Sequence, residues 1–343
     1  MINGDNMSSK KKEKSNANKK NKKLQTAFYW AASCGGCEIA VLDIDEKILD
    51  VVKAADILFW PVALDTKYSD VKNMKDKSID VCFFNGSIRN SENEEMARLL
   101  REKSKVLVAF GSCAHEGCIP GLANLSNREE IFEVAYKDNP STDNPSQKIP
   151  KQTSKVKEGT LHLPKFYDTV KTLDQVVDVD YYLPGCPPPV KLILNAIDAI
   201  VNDKLPEKGS ILAPVKSVCD ECRFEKTEKK IGKLKRIYEL ETFEEKCLLE
   251  QGVICMGPAT RAGCDARCLA ANMPCTGCGG PTPNAKEQGA KMISALASIL
   301  GVEGEEKMSE EEIEKLIENV VDPIGTFYKY SLPHSIIKRK VIK

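Results

Sequence analysis

Residues 24–60 read LQTAFYWAASCGGCEIAVLDIDEKILDVVKAADILFW, and this stretch decides the fold. Residues 24–32 are apolar and aromatic and predict a strand. A Cys34-Gly35-Gly36-Cys37 loop follows. From 37 to 54, Ile39, Ala40, Leu42, Ile48, Val51 and Val52 recur at helical spacing, which predicts one helix. Residues 56–62 predict a second strand. Strand, helix and strand in this order make a parallel crossover unit.

The pattern continues outward. Residues 79–84, 105–111 and 176–183 predict further strands, and 92–103 and 188–202 predict helices. Short apolar strands alternating with helices call for a parallel sheet covered on both faces. The expectation is an α/β, doubly wound domain over 24–205. Within it, residues 138–159 turn polar, with repeated Pro, Ser, Thr, Lys and Gln, and predict a surface insertion with little regular structure. After Leu205 cysteine, glycine and proline become dense and strand patterns stop. Residues 206–343 are therefore expected to form a loop- and helix-rich second domain. It has too few apolar runs for an ordinary core, and metal sites would supply the crosslinks. Residues 284–300 predict a helix there. Residues 309–320 predict another, opened by a capping box of Ser309 and Glu312.

The chain has 343 residues, 42% apolar and 29% charged, which suits a globular protein with a real core. Fifty basic residues balance fifty acidic ones, which argues against a nucleic-acid binder. The longest apolar run, 57–64, is far short of the ~20 residues of a membrane helix. Residues 1–23 hold eight lysines against two acids and read as a disordered basic tail. No apolar signal segment is visible, and the first arginine is Arg89, so a cytoplasmic location is expected. Thiols stay reduced there. Fourteen cysteines against three histidines then point to metal ligands rather than disulfides.

The cysteines sort by element. Cys34 and Cys37 follow the first strand, Cys113 follows the strand ending at Gly111, and Cys186 follows the last strand in Pro184-Gly185-Cys186-Pro187. The carboxyl ends of strands in an open α/β sheet converge on one crevice, so these four thiols can meet. Four thiolates suit a tetrahedral zinc or a [4Fe–4S] cluster, and a place in the functional crevice favours a cofactor over a staple. Cys219, Cys222, Cys247 and Cys255 make a second set of four, and Cys264, Cys268, Cys275 and Cys278 a third. Three such sites in one chain suggest an electron relay, although proximity in sequence leaves exchange of ligands between sets open. Cys82 lies in a strand and reads as an inert buried thiol. Cys118 reads as a spare core thiol near the first set. His115 reads as packing, His162 and His334 as structural or exposed, and Glu38 as pairing a cation. Neither GxGxxG nor a phosphate-loop motif is present.

Cys34-Gly-Gly-Cys37-Glu38, Gly111-Ser-Cys113, Pro184-Gly-Cys186-Pro187-Pro188 and the segment from Cys247 through Cys255-Met-Gly-Pro-Ala-Thr-Arg-Ala-Gly-Cys264 together resemble the small subunit of nickel–iron hydrogenases. The resemblance covers about 24–335. Its features match the cytoplasmic F420-non-reducing (methyl-viologen-reducing) branch of methanogens. It implies a flavodoxin-like domain with a proximal cluster on Cys34, Cys37, Cys113 and Cys186. It implies a distal cluster on Cys219, Cys222, Cys247 and Cys255, and a medial one on Cys264, Cys268, Cys275 and Cys278.

Several departures from the family pattern are informative. Cys219 stands where many members have histidine. Cys268 supplies a fourth medial thiolate where many have proline, so three [4Fe–4S] clusters are expected. Cys118 matches one of two extra cysteines of oxygen-tolerant members, but Gly36 occupies the other position, against their special proximal cluster. F420-reducing relatives carry an aspartate in the proximal set, and respiratory complex I relatives lack the later clusters. Catalysis would lie in a separate nickel–iron large subunit. A small [2Fe–2S] delta-type subunit and heterodisulfide reductase would take the electrons. The rival from another class is a zinc-stapled structural protein.

Overall fold

The computed structural model describes residues 23–339, apart from 228–229, 232, 243, 301–308, 310, 312–313 and 315–317. The basic tail up to residue 22 and half of the residues expected to form the 309–320 helix lie outside the described residues.

Nine strands are present among them: β1 (Leu24–Trp30), β2 (Ala55–Phe59), β3 (Ile79–Asn85), β4 (Ile88–Asn90), β5 (Ser104–Phe110), β6 (Thr153–Val156), β7 (Gly159–His162), β8 (Phe166–Lys171) and β9 (Tyr181–Leu183). Five of them form a sheet in the order β2-β1-β3-β5-β9. Every pairing in it is parallel, with Leu24 opposite Ala55, Thr26 opposite Val81, Val81 opposite Val106 and Val108 opposite Tyr181. Counted within the sheet, the order is the flavodoxin-like one, whose switch point lies between β1 and β3.

Alternation along the strands divides the side chains between two cores. Ala27, Tyr29, Cys82, Phe84, Leu107 and Ala109 pack on one face with Met96, Ala97 and Leu100. The last three come from the helix Ser91–Lys103, whose start is capped by the Asn90 side chain accepting from the Asn93 N–H. Phe28, Val81, Phe83, Val108 and Phe110 pack on the other face. There they meet Cys37, Ala40 and Val41 of the helix Gly36–Leu42 and Leu192, Ile193 and Ala196 of the helix Val190–Val201. Both faces are covered, as a parallel sheet requires.

The structure corrects several local expectations. The single helix over 37–54 is two, Gly36–Leu42 and Ile48–Ala54, separated by a turn in which Asp45 has φ 54°. That left-handed residue cannot continue a helix. The strand expected over 176–183 is only β9, because Val176 and Val177 turn back to hydrogen-bond Leu173. Helix 284–300 is shortened to Gln288–Ile299, capped by the Glu287 side chain. The polar insertion ends in an exposed hairpin, β6–β7. The antiparallel pair β4–β8 has no counterpart in the sequence pattern.

The cysteine-rich part does have a core. Val218, Phe224, Leu234, Leu248, Val253, Met256, Leu269, Met292, Leu296, Phe327 and Leu332 form one buried cluster that includes Cys255 and Cys275. These residues come from loops and from short helices such as Gln288–Ile299 and Pro323–Phe327, spread over more than a hundred positions, so no single apolar run announces them.

The segment around Ser331–Arg339 returns to the α/β part. The Tyr330 carbonyl accepts from the Cys118 N–H at 2.9 Å, the Pro333 carbonyl from the Gln175 amide at 2.9 Å, and the Lys338 carbonyl from the Asn124 amide at 3.0 Å.

Candidate metal centres

Cys34 and Cys37 lie past β1, Cys113 past β5 and Cys186 past β9, all at the carboxyl ends of parallel strands. Cys37 and Cys113 are buried, and Cys34 and Cys186 are exposed. The Cys37 thiol is pushed well up, first by burial and then by the facing Cys186, Glu38, Cys34 and Cys118. These sulfurs therefore share one small region. Crowded neutral thiols ionise there only when a cation compensates the charge, which is the property of a metal-cluster donor set.

Cys118 is buried as expected, but it is more than a spare core thiol. Its Sγ lies 3.6 Å from that of Cys186, and its thiol is raised by a hydrogen bond with Cys113. Cys82 is fully buried in β3, and burial pushes its thiol up to about 12. Glu38 is buried and, among the described residues, does not pair with a cation. Its carboxylate accepts from the Trp60 indole N–H and from the Asn85 amide, at 3.3 Å in the second case. Burial raises its pKa, and these two donors partly oppose the rise.

His115 is packed against the Tyr182 ring at 4.6 Å, and burial lowers its pKa against the opposing Glu116 carboxylate. His162 lies in the exposed hairpin. His334 lies 3.2 Å from Glu116 through Nδ1, and this contact raises its pKa from 6.5 to about 9. The stabilisation from this raised pKa is complete below 6.5 and is lost as pH rises through 9. The ring is 38% exposed, so solvent screening reduces the effect to about 1 kcal/mol. Urea unfolding of His334→Gln across that window should show less loss of stability with pH than the parent chain. Equal slopes would contradict the assignment.

The third set surrounds one space. Cys264, Cys268, Cys275 and Cys278 all line a cavity of about 230 Å³, and Cys186 of the first set lies on its wall. Burial, then the facing Cys264, pushes Cys278 up to about 11, while the Cys186 backbone N–H opposes the rise.

The second set gathers as well. Cys219 is pushed up to about 12 by burial and by Cys255, Cys247 and Cys222, against the Lys226 ammonium. A Cβ at Gly257 would come 3.0 Å from the Cys219 sulfur and 3.5 Å from that of Cys255, so a side chain there would fill the cradle. The Phe224 N–H approaches the Cys222 sulfur at 3.5 Å. The Cys275 N–H donates to the Cys255 sulfur at 3.3 Å, joining the second and third sets.

Thiols in sets of four, some approached by backbone N–H donors, have the donor chemistry that iron–sulfur clusters take.

A family model described as NADH ubiquinone oxidoreductase, 20 Kd subunit, matches residues 34–200. The iron-sulfur subunit of the F420-non-reducing hydrogenase of Archaeoglobus profundus is 42% identical over 328 residues, covering 93% of this chain and 99% of that protein. The chain belongs to this family of F420-non-reducing hydrogenase subunits. The corresponding subunit of the Methanothermobacter thermautotrophicus enzyme is 38% identical over 324 residues, covering 94% of this chain and 98% of that protein. A chain in a crystal structure of NAD+-reducing [NiFe]-hydrogenase in the H2-reduced state matches with 27% identity and a TM-score of 0.47, over 54% of this chain and 95% of that one. This hydrogenase subunit is therefore an oxidoreductase component. No helix of its described residues is long and apolar enough to cross a membrane.

Sequence reasoning proposed twelve candidate ligands but missed the groups that join the sets. Ser112 and Tyr330 are the main ones. Ser112 stands beside Cys113 in the Gly-Ser-Cys motif and carried a signal. Tyr330 is 144 positions from Cys186 in a segment with no motif and carried none.

Proposed function

We propose that this hydrogenase subunit is the electron-transfer arm of a cytoplasmic enzyme, carrying three [4Fe–4S] clusters. Cys34, Cys37, Cys113 and Cys186 would hold the proximal one. Cys264, Cys268, Cys275 and Cys278 would hold the medial one, and Cys219, Cys222, Cys247 and Cys255 the distal one. Bound clusters supply resting places for single electrons between a nickel–iron large subunit and an external acceptor. The observation that carries this reading is the lining of one cavity by the whole third set, with Cys186 on its wall.

The chain's own residues do the remaining work. Backbone N–H groups at Cys186 and Cys275 stabilise thiolate charge on the neighbouring set. The apolar clusters behind each set exclude water and so raise the weight of every nearby dipole. Ile39, Leu42, Leu49 and Val52 are half or more exposed on the two helices that follow the Cys34–Cys37 loop. This apolar surface beside the first set supports docking of the large subunit there. On resemblance, a [2Fe–2S] delta-type subunit and heterodisulfide reductase would take electrons from the distal side.

The complex of this chain with its large subunit should reduce a viologen dye under H2 and leave F420 unreduced. Reduction of F420 would favour the F420-reducing branch. Absence of both activities in a complex whose iron is complete would reject the electron-transfer role.

A further inference from the structure

We infer that Ser112 is a positioning residue that sets the spacing between the first and third cysteine sets. The inference rests on the cluster assignment proposed above. Ser112 is buried and opens the short helix that carries Cys113. Its backbone N–H donates to the Gly185 carbonyl at 2.8 Å. Its hydroxyl accepts from the Gly185 N–H at 3.2 Å and donates to the Cys278 carbonyl at 2.6 Å. One small side chain therefore fastens three loops, those of Cys113, Cys186 and Cys278. The first two belong to the first set and the last to the third. The Ser112–Cys278 bond spans 166 residues of sequence and joins the α/β part to the cysteine-rich part at the ligand loops themselves.

The hydroxyl suits this place. It is the smallest group able to accept on one side and donate on the other. A buried N–H and a buried carbonyl lose their partner together if it is removed, so the loops would re-pack. Tyr330 closes the same junction. Its hydroxyl is 3.2 Å from that of Thr276, and its ring lies in the field of Cys278, Cys186 and Cys118. It does not bond the two ligand loops to each other as Ser112 does.

The test uses the complete hydrogenase complex, prepared anaerobically. The parent protein is first assayed for iron. A parent without iron removes the underlying cluster assignment, whatever Ser112 does. In iron-loaded protein, the reduced first and third clusters interact magnetically, and the splitting in the EPR spectrum falls steeply as they move apart. Ser112→Ala should retain the parent's iron and show a narrower splitting. Ser112→Thr, which keeps the hydroxyl, should restore the parent splitting. Unchanged splitting in Ser112→Ala, or equal narrowing in Ser112→Thr, would overturn the inference. If Ser112→Ala loads incompletely, the site of the loss decides. Loss from the first and third sets with the second retained supports the inference. Loss from all three, or from the second alone, overturns it.

Discussion

Gly111→Ala should empty the first cysteine set and abolish H2-dependent dye reduction. Gly111 ends β5 with φ +83° and ψ 164°, a region that only glycine visits readily. A Cβ there would sit 2.3 Å from the Cys37 sulfur and 3.5 Å from the Gly185 carbonyl. Neither neighbour is free to move. Cys37 is anchored in the first turn of the helix Gly36–Leu42, and Gly185 is tied to Ser112 by two hydrogen bonds. The backbone strain alone costs about 1–3 kcal/mol, and the displaced sulfur removes a ligand as well. Iron should fall from about twelve to about eight per chain, the loss of one cubane. Gly36→Ala is the control. Its Cβ would lie 3.4 Å from the Cys34 sulfur, an ordinary contact, and its φ is not in the left-handed region. That variant should keep its iron. A Gly111→Ala protein with full iron and activity would show that this close approach is unimportant.

Cys268→Ala should convert the medial cluster to a [3Fe–4S] form. Cys268 lies on the short helix Arg267–Ala270 and is exposed, yet it shares one cavity with Cys264, Cys275 and Cys278. Its removal leaves three thiols of the third set around that space. Iron should drop by about one per chain with sulfide unchanged, and the oxidised protein should gain a [3Fe–4S] EPR signal. A cluster lacking one anionic ligand is easier to reduce, so its potential should rise and transfer through the chain should slow severalfold. Unchanged iron would remove Cys268 from the ligand set.

The fold was legible because the sheet strands are buried on both faces and so appear as short apolar runs, such as Ile79–Phe84. The first set was legible for a related reason. Strand ends in a parallel sheet place Cys34, Cys37, Cys113 and Cys186 on one rim before any distance is known. Less was legible where local patterns misled. The helical spacing over 37–54 is real, but it is shared by two helices broken at Asp45, whose left-handed backbone leaves no trace in hydrophobic periodicity. The core of the cysteine-rich part was hard to see because Phe224, Leu248, Met292 and Leu332 are brought together from separate, distant segments, only one of which, the helix Gln288–Ile299, carries a periodic signal. The partners of Glu38 were hidden too. Trp60 and Asn85 reach it from the ends of β2 and β3, and nothing local to Glu38 indicates neutral donors rather than a cation. The join between the first and third sets follows the same rule, since the Ser112–Cys278 bond spans 166 residues.

Iron, acid-labile sulfide and zinc per chain, measured on protein purified without oxygen, test the central claim most directly. The account predicts about twelve iron and about twelve sulfide, with zinc near zero, as three Cys₄-bound cubanes require. About three zinc and no sulfide would contradict it and leave a stapled scaffold in place of a relay.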